Sequence, residues 1–244
     1  YVELSGSSFV SNTAGTDGGG IYFNENYAHE AVSLHISEAE FVRNTAVGRG
    51  GGLYMDEIYE GGNVMLKDTL FHANVSQDDG GGLYVNTCYS GCFFTFTGNT
   101  LTDNEAAGYG GGMNFYELYG SSQGTFDGNL FTDNRAGESG GGYYGDYFAY
   151  DGSVMQFTNN QLLNNYAVRD GGGIAIDSAM VETGSRVVFN GNRIEENYAA
   201  GEGGGAFFDN VEDGSVAEIT NNQIISNTAE GDGGGLLLGG IANG

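Results

Sequence analysis

A run of three glycines recurs eight times along the chain, beginning at Gly18, Gly50, Gly80, Gly110, Gly140, Gly171, Gly203 and Gly233, at intervals of 30 to 32 residues. A fixed interval of this size marks a chain that folds as stacked copies of one short unit, each burying its apolar side against its neighbours. Other columns keep step with the glycines. Nine residues before each triplet stands an apolar anchor: Phe9, Phe41, Phe71, Leu101, Phe131, Leu162, Ile194 and Ile224. Three residues after each anchor comes asparagine, at Asn12, Asn44, Asn74, Asn104, Asn134, Asn165, Asn197 and Asn227. Two residues further on is alanine, from Ala14 to Ala229, with Ser76 as the one exception. A second apolar column precedes the anchors by five residues, and a partial second asparagine column runs through Asn99, Asn129, Asn160, Asn192 and Asn222.

Each apolar group alternates with period two, the strand period, and no window sustains the 3.6-residue spacing of a helix. The unit therefore predicts three short strands per copy, separated by turns at asparagine and glycine. Stacked at about 4.8 Å, eight copies make a rod of roughly 38 Å. The expected fold is all-β: a parallel β-helix, or β-solenoid, of about eight coils of 30 to 32 residues, with 1–244 as a single domain. With no Cβ, the glycines suit a corner that needs positive φ or close backbone approach. Forty-six glycines beside 16 tyrosines and 15 phenylalanines, without a proline, fit many turns joining many aromatic-rich strands. The asparagine column reads as a structural one, seated in a turn with amides stacked from coil to coil.

The paired motifs FxxN and GGG followed by an apolar residue, as in "FVSNTAGTDGGGIY" and "FTDNRAGESGGGYY", resemble the FxxN and GGA[ILV] repeats of chlamydial polymorphic membrane proteins and similar right-handed β-helix surface proteins. The resemblance spans the whole chain. It implies a right-handed coil and an exported passenger linked to adhesion. The chain departs from that pattern in having GGG where GGA is usual, coils of about 30 residues, and no membrane-barrel segment.

Thirty-two acidic against seven basic residues give a net charge of −25, which repels phosphate backbones and anionic lipid surfaces. Nucleic acid and direct membrane insertion are therefore not expected. Length variation falls after the third strand of each copy, in "NENYAHEAV", "DEIYEGGN", "NTCYSGC", "YELYGSSQG", "GDYFAYDGS", "DSAMVETGS" and "DNVEDGS". These acidic, tyrosine-rich loops predict one edge of the rod, either solvated or a surface for a protein receptor, a glycan or divalent cations. Alternation predicts a second surface. If Ile21 and Phe23 point inward, the column Tyr22, Tyr54, Tyr84, Tyr144 and Phe207, interrupted by Asn114, Ala175 and Leu237, points outward. It reads as an exposed aromatic stripe for binding, or as rings stacked on one another between coils. Cys88 and Cys92 predict a disulfide closing a small loop and an oxidising, extracellular location, with half a metal site as the alternative.

The best catalytic constellation is the position just before the triplets, where Asp17, Arg49, Asp78 and Asp79 meet across three coils. It reads as an ion pair between coils, or as paired carboxylates of a polysaccharide-cleaving site. No metal constellation is expected from the scattered His29, His35 and His72, although calcium on the acidic loops is possible chemistry. The sequon at Asn74 falls in the asparagine column and should carry no glycan if that column turns inward. The amino end lacks a basic secretory start, and neither end reads as a polar cap. A piece of a longer chain, or a unit stacking end to end, is therefore expected. The reading that follows is a non-catalytic extracellular solenoid serving as surface stalk, adhesin passenger or filament component. The alternative is a carbohydrate-binding or polysaccharide-cleaving β-helix.

Overall fold

A computed structural model describes residues 1–24, 32–59, 61–147, 149–177, 180–181, 184–212 and 215–240. Four parallel sheets of eight strands each run the length of the molecule, and every strand pairs with its counterpart one repeat away. The anchors lie in one register line: Phe9 pairs with Phe41, Phe41 with Phe71, Phe71 with Leu101, and so on to Ile194 with Ile224. Their rings stack, with centroids 4.9 Å apart for Phe9 and Phe41 and 4.8 Å for Phe41 and Phe71. No helix among the described residues is long and apolar enough to cross a membrane.

The coil has four strands, not the expected three. In the second repeat they are Ser33–Ser37, Glu40–Val42, Thr45–Ala46 and Leu53–Ile58. The extra one is the two-residue piece that follows each asparagine, and it forms an eight-stranded sheet of its own. Two residues carry no alternation, so the chain could not announce this strand by periodicity.

Between the second and third strands the chain turns through a left-handed residue in every coil: Ser11, Arg43, Ala73, Asp103, Asp133, Asn164, Glu196 and Ser226, with φ between 53° and 57°. None is glycine, and such a conformation costs each about 1–2 kcal/mol. The asparagine that follows holds the corner. Asn104, for example, donates from its amide nitrogen to the Phe71 carbonyl at 2.9 Å and to Asn134 Oδ1 at 3.0 Å, while its own Oδ1 accepts from the backbone and side-chain nitrogens of Asn74, both at 3.0 Å. The same amide-to-amide bond, 2.9 to 3.0 Å long, links Asn12, Asn44, Asn74, Asn104, Asn134, Asn165, Asn197 and Asn227 without a gap. The second column behaves alike, from Asn99 through Asn129, Asn160 and Asn192 to Asn222. The asparagines from Asn44 to Asn197 are buried. Asn74 therefore has its amide nitrogen engaged by the Phe41 carbonyl and Asn104.

The three glycines answer two separate demands. Gly50 sits at φ 67°, where a side chain is strained. Gly51 and Gly52 are packed: a Cβ on Gly51 would stand 2.3 Å from the Gly81 carbonyl oxygen, and one on Gly52 would stand 2.6 Å from that of Gly82. The corner of one coil nests against the backbone of the next, which leaves no room for a methyl group.

Candidate functional site

The outward face of the fourth sheet carries the aromatic column, and its environment differs from the expected one. Alternation is right about direction: Leu53 and Met55 lie in the core and Tyr54 is on the opposite side. It is wrong about exposure. Tyr54, Tyr84 and Tyr144 are only 6%, 1% and 5% exposed, Phe207 is half-buried, and Tyr22 alone is open at 46%. The cause is the glycine corner, which folds back across this face: a Cβ on Gly50 would lie 2.9 Å from Tyr54 Cα, and one on Gly140 would lie 2.6 Å from Tyr144 Cβ. The rings also cover one another, with centroids 5.0 Å apart for Tyr22 and Tyr54 and 5.3 Å for Tyr54 and Tyr84. Burial pushes the phenols of Tyr54, Tyr84 and Tyr144 above their usual range. The column is thus packed structure over most of its length, and the expected exposed stripe does not exist there.

Two polar rows flank this row of rings. On one side is the position before each triplet. Asp17 Oδ1 accepts the Arg49 backbone N–H at 2.7 Å, and Arg49 Nε lies 3.3 Å from Asp78 and 3.6 Å from Asp79. The four residues expected to meet across three coils do meet, as an ion-pair cluster anchored to backbone. Arg49 also sets its guanidinium 5.0 Å above the Tyr84 ring, a cation–π contact. Burial raises Asp79 above the ordinary carboxylate range, opposed by the Tyr109 N–H and by Arg49.

On the other side is the row two residues beyond the rings, which sequence reasoning did not single out. Asp56 accepts from the hydroxyls of Tyr22 and Tyr54, each at 3.2 Å, and from the Asn86 amide at 3.2 Å. Asp146, further along, is raised to about 6 by burial first and then by the charges of Asp177, Asp79 and Glu117. At Ala175 the row of rings lapses, and an open cleft of ≈ 210 Å³ lies there between the two polar rows. The coincidence of Ala175 in an aromatic column with Ser139 in a mostly charged one was the available signal.

Exposed aromatic surface does occur, displaced to the loop edge. Tyr59 and Tyr89 meet edge to face at 4.3 Å, Tyr119 and Tyr150 stack at 5.4 Å, and Tyr116 meets Tyr147 at 5.7 Å. Tyr119 and Tyr147 are exposed. Residues 25–31 of the first acidic loop, with His29, and 178–179, 182–183 and 213–214 of the later ones lie outside the described residues. Cys88 and Cys92 form a disulfide, and both are fully buried. Cys88 occupies the same inward column as Ile58 and Leu118. Among the described residues no group of three or more His, Cys, Asp or Glu side chains is placed to hold a metal ion.

Four parallel sheets, coils in strict register and buried asparagine ladders define a parallel β-solenoid. The chain belongs to the family described as right handed beta helix region, whose model matches residues 1–242. No curated protein and no solved structure matches the chain.

Proposed function

We propose that this β-helix is a non-catalytic extracellular rod with a structural or adhesive role, as a surface stalk, adhesin passenger or filament component. The observation that carries this reading is the continuity of the asparagine ladder, which links all eight coils by one repeated bond. Catalytic β-helices need some coils to specialise, whereas here the columns that recur are consumed by packing and hydrogen bonding. The displaced tyrosine edge, with exposed Tyr119 and Tyr147 beside acidic loops, supplies contact area for a protein receptor, a glycan or a neighbouring copy of the chain. A buried disulfide accords with an oxidising location. The likeness of the repeats to those of the chlamydial surface proteins supports the adhesive version. Calcium on the acidic loops is a compatible addition, and equal thermal melts in calcium and in chelator would remove it.

One observation favours the second reading, a carbohydrate-binding or polysaccharide-cleaving β-helix: Asp146 is raised to about 6, by burial and then by the charges of Asp177, Asp79 and Glu117. An acid of that strength is suited to proton transfer near neutral pH. A turnover assay on acidic polysaccharides together with a glycan array separates the two. The rod reading requires no turnover, and adhesion of the purified protein to cells or matrix that drops when Tyr119 and Tyr147 are both changed to serine. Hydrolytic or eliminative turnover that disappears in Asp146→Asn would overturn it.

A further inference from the structure

The cleft at Ala175 has a template elsewhere in the same molecule. In the third coil, Tyr84 of the aromatic column is capped by the guanidinium of Arg49 at 5.0 Å, and Asp79 faces that guanidinium from the adjoining row. Asp79 is held in place because its Oδ1 accepts the Tyr109 N–H at 2.9 Å. Three coils further on, the positions of Arg49, Asp79 and Tyr84 are filled by Ser139, Asp170 and Ala175. Asp170 keeps its part: its Oδ1 accepts the Glu202 N–H at 2.8 Å. The arginine and the ring are both cut short, and the cleft of ≈ 210 Å³ occupies their place.

Its walls say what fits. Tyr144 and Phe207 pair in register on either side of Ala175, so their rings stand two coils apart, about 9.6 Å, with room for one planar layer between them. A cavity of about 150 Å³ accommodates a benzene ring, so the volume suits one flat group with a short stem. Asp177 and Asp209 line the opposite wall in the row of Asp56. Asp209 is fixed there because its Oδ1 accepts the Asn210 backbone N–H at 2.9 Å, so this wall presents negative charge. The cation in the wall, Arg169, is engaged by Glu138 at 3.2 Å. A net charge of −25 draws basic partners toward the whole surface.

The geometry points to this cleft as a socket for an arginine side chain of a protein partner, its guanidinium lying between Tyr144 and Phe207 as that of Arg49 lies over Tyr84. Arginine suits it better than lysine because the guanidinium is a flat fork: it stacks on ring faces and pairs with carboxylates at its edge, whereas an ammonium is a compact, strongly hydrated point charge. A neutral sugar would stack on the rings but bring no charge to meet Asp170, Asp177 and Asp209. The inference rests on the adhesive reading, since it names the chemistry of one protein contact on the rod.

Two substitutions fill the socket without disturbing the coil. Ala175→Tyr continues the row of rings on a backbone that already carries tyrosine in the coil before: a Cβ on Gly171 would lie 2.6 Å from Ala175 Cβ, as one on Gly140 would from Tyr144 Cβ. Ser139→Arg supplies the guanidinium from within. The test is a titration of the whole ¹⁵N-labelled chain with N-acetyl-arginine amide, N-acetyl-lysine amide and methyl glucoside, read by amide shifts. The arginine amide should move the signals of Ala175, Asp177 and Phe207 and bind at least about fivefold tighter than the lysine amide. Both variants should melt no lower than the parent and lose the shifts. Equal affinity for the two amides, a preference for the glucoside, or shifts retained in both variants would overturn the socket. Adhesion lost only when the tyrosine edge is altered, with arginine binding intact, would instead detach the socket from the adhesive role.

Discussion

Asn104 and Asn134, thirty residues apart, are joined twice: the backbone N–H of Asn104 and its side-chain amide both donate to Asn134 Oδ1, at 3.1 and 3.0 Å. Every coil repeats this junction, and it lies beside a left-handed corner residue, here Asp103 at φ 56°. Replacing Asn104 by alanine strips partners from the Asn74 backbone and amide nitrogens, the Phe71 carbonyl and Asn134 Oδ1. Buried groups left unpaired cost about 1–3 kcal/mol each, so a loss of roughly 3 kcal/mol or more is expected by chemical denaturation. A loss below about 1 kcal/mol would mean the ladder is decoration.

Gly111 is not in the left-handed region, yet it should tolerate alanine no better than Gly110, which is. A Cβ there would sit 2.4 Å from the Arg135 carbonyl carbon and 2.5 Å from the Gly141 oxygen. Both are backbone atoms of the next coil and cannot step aside alone. Gly111→Ala should cost roughly 3 kcal/mol or more, at the upper end of overpacking. Gly128→Ala has open space around it, so its cost comes from its φ of 65° alone and should be smaller. Melting temperatures of the two variants rank them.

Asp146 gives the rod a signed pH dependence. Its carboxyl is raised from the ordinary 3.8 to about 6, chiefly by burial. A raised folded value means that the folded state binds the proton more tightly, so the stabilisation is complete below the ordinary value and disappears as pH rises through about 6. Asp146→Asn carries no charge. It should melt above the parent at pH 7.5, and that gap should narrow as pH falls from about 6 to about 4. A gap of constant size across this range would remove Asp146 as the titrating group.

The disulfide closes a very short loop, so chain entropy assigns it only about 2 kcal/mol. Because Cys88 and Cys92 are fully buried in the core, the double change to alanine also leaves unfilled space. A double variant should lose roughly 2–4 kcal/mol and still show the all-β circular dichroism of the parent. Unfolding outright would mean that the bridge, and not the stack, holds the coils together.

What the chain announced and what it hid divide along physical lines. Phe41, Phe71 and Asn74 were legible because their intervals never change, and a fixed interval maps onto a fixed place in a coil. Thr45–Ala46 was not legible as a strand, since two residues show no period. The face of Tyr54 was legible and its burial was not: alternation reports direction, while what lies on that face depends on a corner formed several residues away. The same distinction hid the cleft. Ala175 and Ser139 looked like two unrelated lapses in two columns, and only the register of the coils sets them side by side.

The bonds between asparagine amides all run one way, from each Nδ2 to the oxygen of the following coil. Eight amides in file therefore add their dipoles like the peptide units of a helix, with the nitrogen ends toward the last coil and the oxygen ends toward the first. The stack is a weak electret, polarised along its axis in one fixed sense.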